Sequence, residues 1–196
     1  MGDLEVWARL GDTALTLKAY GPAIECCKVA VAFLTALGRN APPQTWYWGG
    51  VAECAYGNGI MALIRPAQQD RSAQDALKQK ALEHFVEAAK LGRRANRRDI
   101  VDYAARCFWN AATSFMGNAA TRSILTGSLE TILDACRATN TDDFKFLGAM
   151  YVLFFDCLVD VSAWADGLKH TVGRCMLTGL KPVLKAPMVS ALESIL

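Results

Sequence analysis

The chain has 196 residues, 53% of them hydrophobic and 20% charged, and a formal net charge of +2. That near-neutral balance argues against a general nucleic-acid binder. The apolar excess over ordinary soluble composition points to a large core or to apolar faces meant for a neighbour.

Helical periodicity dominates from the start. Leu4, Trp7, Leu10, Ala14 and Leu17 recur at three- and four-residue steps and predict one face of a first helix. Gly21-Pro22 punctuates, with Pro22 suited to the first turn of a second helix, and Ile24, Cys27, Val31 and Leu34 carry the period to Gly38. After a break from Asn40 to Pro43, Gln44 to Ile64 is apolar and rich in Trp and Gly. Each helical glycine costs about 1 kcal/mol relative to Ala. Gly49, Gly50, Gly57 and Gly59 therefore predict either close helix packing or a kinked, irregular element.

Pro66 closes that segment. Ser72, with Asp75 three residues on, approximates a capping box. The stripe Ala76, Leu77, Ala81, Phe85, Ala88 and Leu91 then defines a helix to Gly92. Further helices are predicted over 99–116 and 121–138. Thr141, Asp142 and Asp143 cap another that runs to about Val159, Ser162 opens one to Met176, and Pro187 opens a last. About eight or nine helices of roughly 15 to 22 residues, joined by short loops and without strand-type alternation, make the fold class all-α. We take 1–196 as a single helical-repeat domain or a segment of a larger scaffold.

No stretch approaches the roughly 18 uncharged apolar residues that a membrane span requires. The longest apolar run, Phe146 to Phe155, is closed by Asp156 and Asp160. The start, MGDLEVWARLGD, is acidic and amphipathic, unlike a leader, and Val6 stands where a myristoylation motif has Ser or Thr. Cys26, Cys27, Cys54, Cys107, Cys136, Cys157 and Cys175 are odd in number and lack Cys-x-x-Cys spacing. They read as small apolar residues in a reducing, cytoplasmic setting.

Chemical motifs are sparse. His84 and His170 have no ligand partner at metal spacing, and Gly57-x-Gly59 lacks the third glycine and the lysine of a phosphate loop. Asp156 and Asp160 share a helix face, but no nucleophile or base accompanies them, so they read as a solvated edge. We expect no catalytic, cofactor-binding or metal-binding residues, hence no enzyme. The most suggestive polar feature is Arg93, Arg94, Arg97 and Arg98, in a stretch (65–106) with ten Lys/Arg against six Asp/Glu. One reading is a site for an acidic partner. The other is that cations at a helix C-terminus complement its dipole.

The first forty residues carry a repeat signature. Trp7-x-x-Leu10-Gly11 is followed by Ala14, then by Tyr20, Ala23, Cys27 and Ala30. This resembles the tetratricopeptide hairpin, in which small residues let two antiparallel helices approach while bulky ones fill the flanks. Cys27 stands where a large aromatic is usual, and Thr35 where Pro often closes the unit. Leu82 to Ala89 resembles a second helix of such a hairpin, and Tyr151 to Arg174, with Trp164-x-x-Gly167, resembles another hairpin. The resemblance implies a degenerate tetratricopeptide-like α-solenoid of stacked antiparallel hairpins. Arg9 and Thr13 match the peptide-carboxylate clamp of chaperone-binding members poorly.

The segment Leu82 to Asn110, LEHFVEAAKLGRRANRRDIVDYAARCFWN, and the later run Asp156 to Trp164 are similar to the large cilia- and flagella-associated proteins of the axonemal central apparatus. That similarity implies a non-catalytic protein–protein scaffold on microtubules of the cilium or flagellum. The implied partners are other axonemal scaffold subunits or tubulin, with no nucleic acid, membrane or cofactor. The alternative function is an adaptor that holds a short client peptide in its concave groove.

Overall fold

The computed structural model describes residues 2–38 and 41–161, and these are all-helical, with no strand among them. In chain order the helices are α1 (Gly2–Thr16), α2 (Tyr20–Leu37), α3 (Pro43–Ala62), α4 (Arg71–Arg94), α5 (Arg98–Ala112), α6 (Ala119–Arg122), α7 (Thr126–Ala138) and α8 (Phe144–Asp160). Single 3₁₀ turns follow α5 and α6. The helices expected from Ser162 and Pro187 lie outside the described residues, as do the Trp164–Gly167 hairpin, His170 and Cys175.

The chain divides into two compact units. The first is Met1–Thr113 with Asp134–Thr141; the second contains the described residues 114–133 and 142–161. In the first unit each of α1 to α5 packs on its chain neighbours, and α3 also packs on α1 and on α5. Three helices, α1, α4 and α7, close by one device. Ala19 N donates to Ala14 O (2.8 Å), Arg97 N to Gly92 O (2.9 Å) and Thr141 N to Cys136 O (3.0 Å). In each case the preceding residue, Lys18, Asn96 or Asn140, has positive φ. This is the left-handed helix stop, in which a six-residue backward bond satisfies a terminal carbonyl.

Glycine decides how closely the helices approach. A Cβ at Gly11 would lie 2.5 Å from Cys27 Sγ and 3.4 Å from the Ala23 carbonyl. The close α1–α2 contact predicted at Gly11 and Ala23 is therefore present, and it explains why Cys27 cannot be a large aromatic. Trp7 is partly buried, whereas Leu10 and Leu17 are 48% and 74% exposed, so the buried face of α1 is Leu4, Ala8 and Gly11. Helix α3 decides between the two expectations for its glycines, close packing and a kink, being continuous from Pro43 to Ala62. Its four glycines are contact points, not breaks: built Cβ atoms at Gly49, Gly50, Gly57 and Gly59 would meet Leu34, Ile100, Phe85 and Ile24 within 3 Å. Tertiary packing here outweighs the local cost of glycine.

Caps also differ in detail. Asp70, two residues before the expected cap Ser72, accepts from Ala73 N at 2.6 Å, while Asp75 bonds Lys78. Asp143 caps α8 by accepting from Phe146 N at 3.0 Å, and the Thr141 hydroxyl donates to Asp102 instead. The helix expected over 121–138 is interrupted at Ser123–Leu125 before α7. Among the described residues α2 alone is long and apolar enough to cross a membrane by length and composition, contrary to the sequence expectation. Its two charges, Glu25 and Lys28, pair at 2.6 Å, and Ala23, Ile24, Cys27, Ala30 and Leu34 are buried.

In the second unit α8 buries Leu147, Met150, Tyr151, Leu153, Phe154, Cys157 and Leu158. Asp160 is no solvated edge. It accepts a fork from Arg122, at 2.6 and 3.1 Å, and Arg122 also donates to the Met116 carbonyl. That fork holds the Asp160 carboxyl below the usual carboxylate range. Asp156 is exposed, as expected.

Candidate interaction site

The first turns of α3 carry Trp46-Tyr47-Trp48, and consecutive helical residues point about 100° apart. The three rings therefore serve different faces. Tyr47 and Trp48 meet edge to face at 4.8 Å between centroids. With Arg9, Asp12 and Thr13 of α1 and Tyr103 of α5, they line a groove of about 460 Å³. Trp48 Nε1 is buried without an acceptor among the described residues. Asn58 donates to the Tyr103 hydroxyl at 3.0 Å, and partial burial pushes that phenol up to about 12. Arg9 and Thr13 thus sit together in one concavity, along with Asp12.

Trp46 faces the other way. It is buried and, with Leu34 of α2 and Leu91 of α4, floors a second cleft of about 360 Å³ whose rim carries Arg94. Each ring of the triplet has a guanidinium over it: Arg94 on Trp46 at 5.1 Å, Arg97 on Tyr47 at 4.2 Å and Arg9 on Trp48 at 4.6 Å. Such stacking fixes the plane of an arginine while leaving its edge donors directed outward.

The arginines singled out in the sequence are all exposed, but they are not equivalent. Arg93 and Arg94 occupy the last turn of α4. The turn at Asn96 then swings the chain, placing Arg97 at the N-cap of α5 and Arg98 at its first residue. Arg97 forks Asp99 at 2.9 and 2.7 Å, which lowers the Asp99 pKa and raises that of Arg97. Arg98 meets Asp102 at 3.2 Å. Arg93 and Arg94 have no carboxylate within ion-pair distance among the described residues.

Two features escaped sequence reasoning. Glu53, 4% exposed, meets His84 Nδ1 at 2.6 Å, and Tyr56 lies against the imidazole with centroids 4.0 Å apart. His84 is thus an interhelix residue with a specific partner. The available signal was that Glu53 is the single charge in α3. The second is Arg9, whose role over Trp48 no local pattern signals. The cysteines behave as buried apolar residues where described. Cys27, Cys54, Cys136 and Cys157 are buried, and Cys26 and Cys107 partly so. Desolvation pushes the Cys27 and Cys136 thiols up to about 12. No group of three or more His, Cys, Asp or Glu able to hold a metal occurs among the described residues.

No family model matches the chain. It is similar to "Cilia- and flagella-associated protein 46" of Chlamydomonas reinhardtii, with 26% identity over 179 residues. The aligned region takes in 84% of this chain and 6% of that relative, so the chain spans a small fraction of the protein it matches.

Proposed function

We propose that this chain is a non-catalytic, protein-binding helical segment of a ciliary or flagellar structural assembly. The observation that carries the reading is its similarity, over 84% of its length, to a protein named for association with cilia and flagella. The packing in the first unit is consistent with it. Hairpins stacked so that α1, α3 and α5 adjoin, with Gly11 against Ala23 and Cys27, are what a tetratricopeptide-like α-solenoid requires. Such a stack leaves long faces and unpaired ends, which suits a scaffold that holds neighbouring subunits, axonemal proteins or tubulin among them. Tagged protein expressed in a ciliated cell should co-localise with the axoneme and resist detergent extraction, and purification should recover axonemal subunits in fixed ratio. Diffuse cytoplasmic signal that washes out with detergent would refute the ciliary placement.

A second reading is favoured by the groove of about 460 Å³ between α1, α3 and α5. There Arg9, Thr13 and the acceptor-less Trp48 Nε1 offer polar contacts to an extended client peptide. A peptide array probed with the purified chain separates the two readings. An adaptor selects a short motif that is lost on Arg9→Glu, whereas a scaffold selects none that depends on Arg9.

A further inference from the structure

We propose that the cleft between α2, α3 and α4 is a docking site for an acidic peptide segment of a partner protein. A carboxylate of that segment sits on Arg94 and Arg93, and an adjoining apolar side chain packs on Leu34, Leu91 and Trp46. This deepens the protein-binding reading above and rests on it, while being independent of the groove on the α1 side.

Charge pairing is the discriminating observation. In the first unit Arg9 meets Glu5, Lys28 meets Glu25, Lys78 meets Asp75, Lys90 meets Glu87, Arg97 meets Asp99 and Arg98 meets Asp102, all within 3.3 Å. Lys18, Arg65, Lys80, Arg93 and Arg94 have no carboxylate partner among the described residues, and of these Arg94 alone lines the cleft. The acids in the cleft wall are already matched, Glu53 to His84 and Glu87 to Lys90. The unmatched charge lining the cleft is therefore positive and belongs to Arg94, with Arg93 beside it in the last turn of α4. Their position at the α4 C-terminus satisfies the helix dipole. That role asks nothing of Trp46, however, and Trp46 is what adds a geometric argument.

Trp46 is 8% exposed, so its ring is held by the core and Arg94 is stacked on a fixed surface. A guanidinium pinned by its face presents its edge as a ready fork for a carboxylate, with less rotamer freedom left to lose on binding. Immediately beneath lie the buried Leu34 and Leu91, and about 360 Å³ is enough for an apolar side chain beside the acidic one. The apolar floor of Leu34, Leu91 and Trp46 suits the side chain of a peptide better than a sugar-phosphate backbone.

The test uses the whole chain and a fluorescein-labelled heptapeptide, Glu-Glu-Leu-Glu-Leu-Glu-Glu, followed by anisotropy at low ionic strength. Arg94→Glu is expected to weaken binding about tenfold or more, the scale of one charge-assisted hydrogen-bonded pair. Arg93→Glu should weaken it less. Arg94→Lys, which keeps the charge but loses the fork, should cost roughly threefold to fivefold. Arg71→Glu makes the same change in net charge at a side chain that is 90% exposed and outside the cleft, and should cost less than twofold. Equal losses for Arg71→Glu and Arg94→Glu would overturn the proposal, as would undiminished binding of the Gln-for-Glu probe. No binding of the acidic probe by the native chain would overturn it too. Tighter, Arg94-dependent binding of a poly-uridine oligonucleotide would replace the peptide with RNA and equally overturn it. Failure in any of these forms leaves axonemal localisation untouched, so the two readings fall separately.

Discussion

Gly57 offers the sharpest test of the packing, because two effects of similar size oppose each other there. On helix propensity alone, Gly57→Ala inside α3 should stabilise by about 1 kcal/mol. A Cβ at that position, however, lies 2.5, 2.8 and 3.0 Å from Cε1, Cζ and Cδ1 of Phe85. Carbon atoms in contact sit near 3.5–4.0 Å. Phe85 is completely buried, so its ring cannot swing into solvent and must push α4 away from α3. Overpacking of this kind costs roughly 1–3 kcal/mol, and the 2.5 Å approach places it at the upper end. The net expectation is a loss of about 1–2 kcal/mol, or a Tm lower by about 2–8 °C for a chain of this size. Urea unfolding followed by far-ultraviolet circular dichroism measures it. Gly127→Ala serves as the control, since that α7 glycine has nothing within 4 Å, and it should leave Tm unchanged or raise it. Shrinking the ring in Gly57→Ala/Phe85→Leu should make the alanine cheaper than it is in the native background, a coupling a double-mutant cycle reads directly. A rise in Tm for Gly57→Ala alone would refute the close α3–α4 approach.

Other consequences follow from single contacts. His84→Ala leaves the buried Glu53 side chain without its hydrogen-bond partner and should destabilise by about 1–3 kcal/mol in urea titrations. Glu53→Gln, which keeps a hydrogen-bonding group beside the imidazole, should cost clearly less. Because the Arg122 fork depresses the Asp160 pKa, its stabilisation is present above the ordinary aspartate range and lost as pH falls through the lowered value. Arg122→Gln should therefore lower Tm at neutral pH and converge with the native chain in strong acid; an equal deficit at both would refute the pairing. Native alkylation by iodoacetamide at pH 8, mapped by mass spectrometry, should label Cys26 before Cys27, Cys54 and Cys136, whose thiols are buried and shifted upward. Lys18→Gly should raise Tm slightly, since Lys18 holds φ of 61° at a position that favours glycine.

The sequence by itself determined α1 to α5 and α8, because the three- and four-residue apolar period is a local signal, while it misplaced the α4 cap and missed the interruption at Ser123–Leu125. It also determined the intimate α1–α2 contact, since Gly11 and Ala23 are small where a hairpin needs them to be. The course of α3 was not legible. Four glycines in a row of apolar residues predict weakness locally, and only the arrival of Leu34, Ile100, Phe85 and Ile24 turns each into a contact. The arginine cluster shows the same division. Arg93, Arg94, Arg97 and Arg98 look alike in the sequence, yet two are matched to Asp99 and Asp102 while Arg94 lies on a tryptophan nearly fifty residues earlier in the chain. Glu53 with His84, and Arg122 with Asp160, likewise join residues 31 and 38 positions apart. Backbone periodicity is written within a few residues, whereas the pairing of a charge depends on which helices are brought together, and that is decided only when their apolar faces pack.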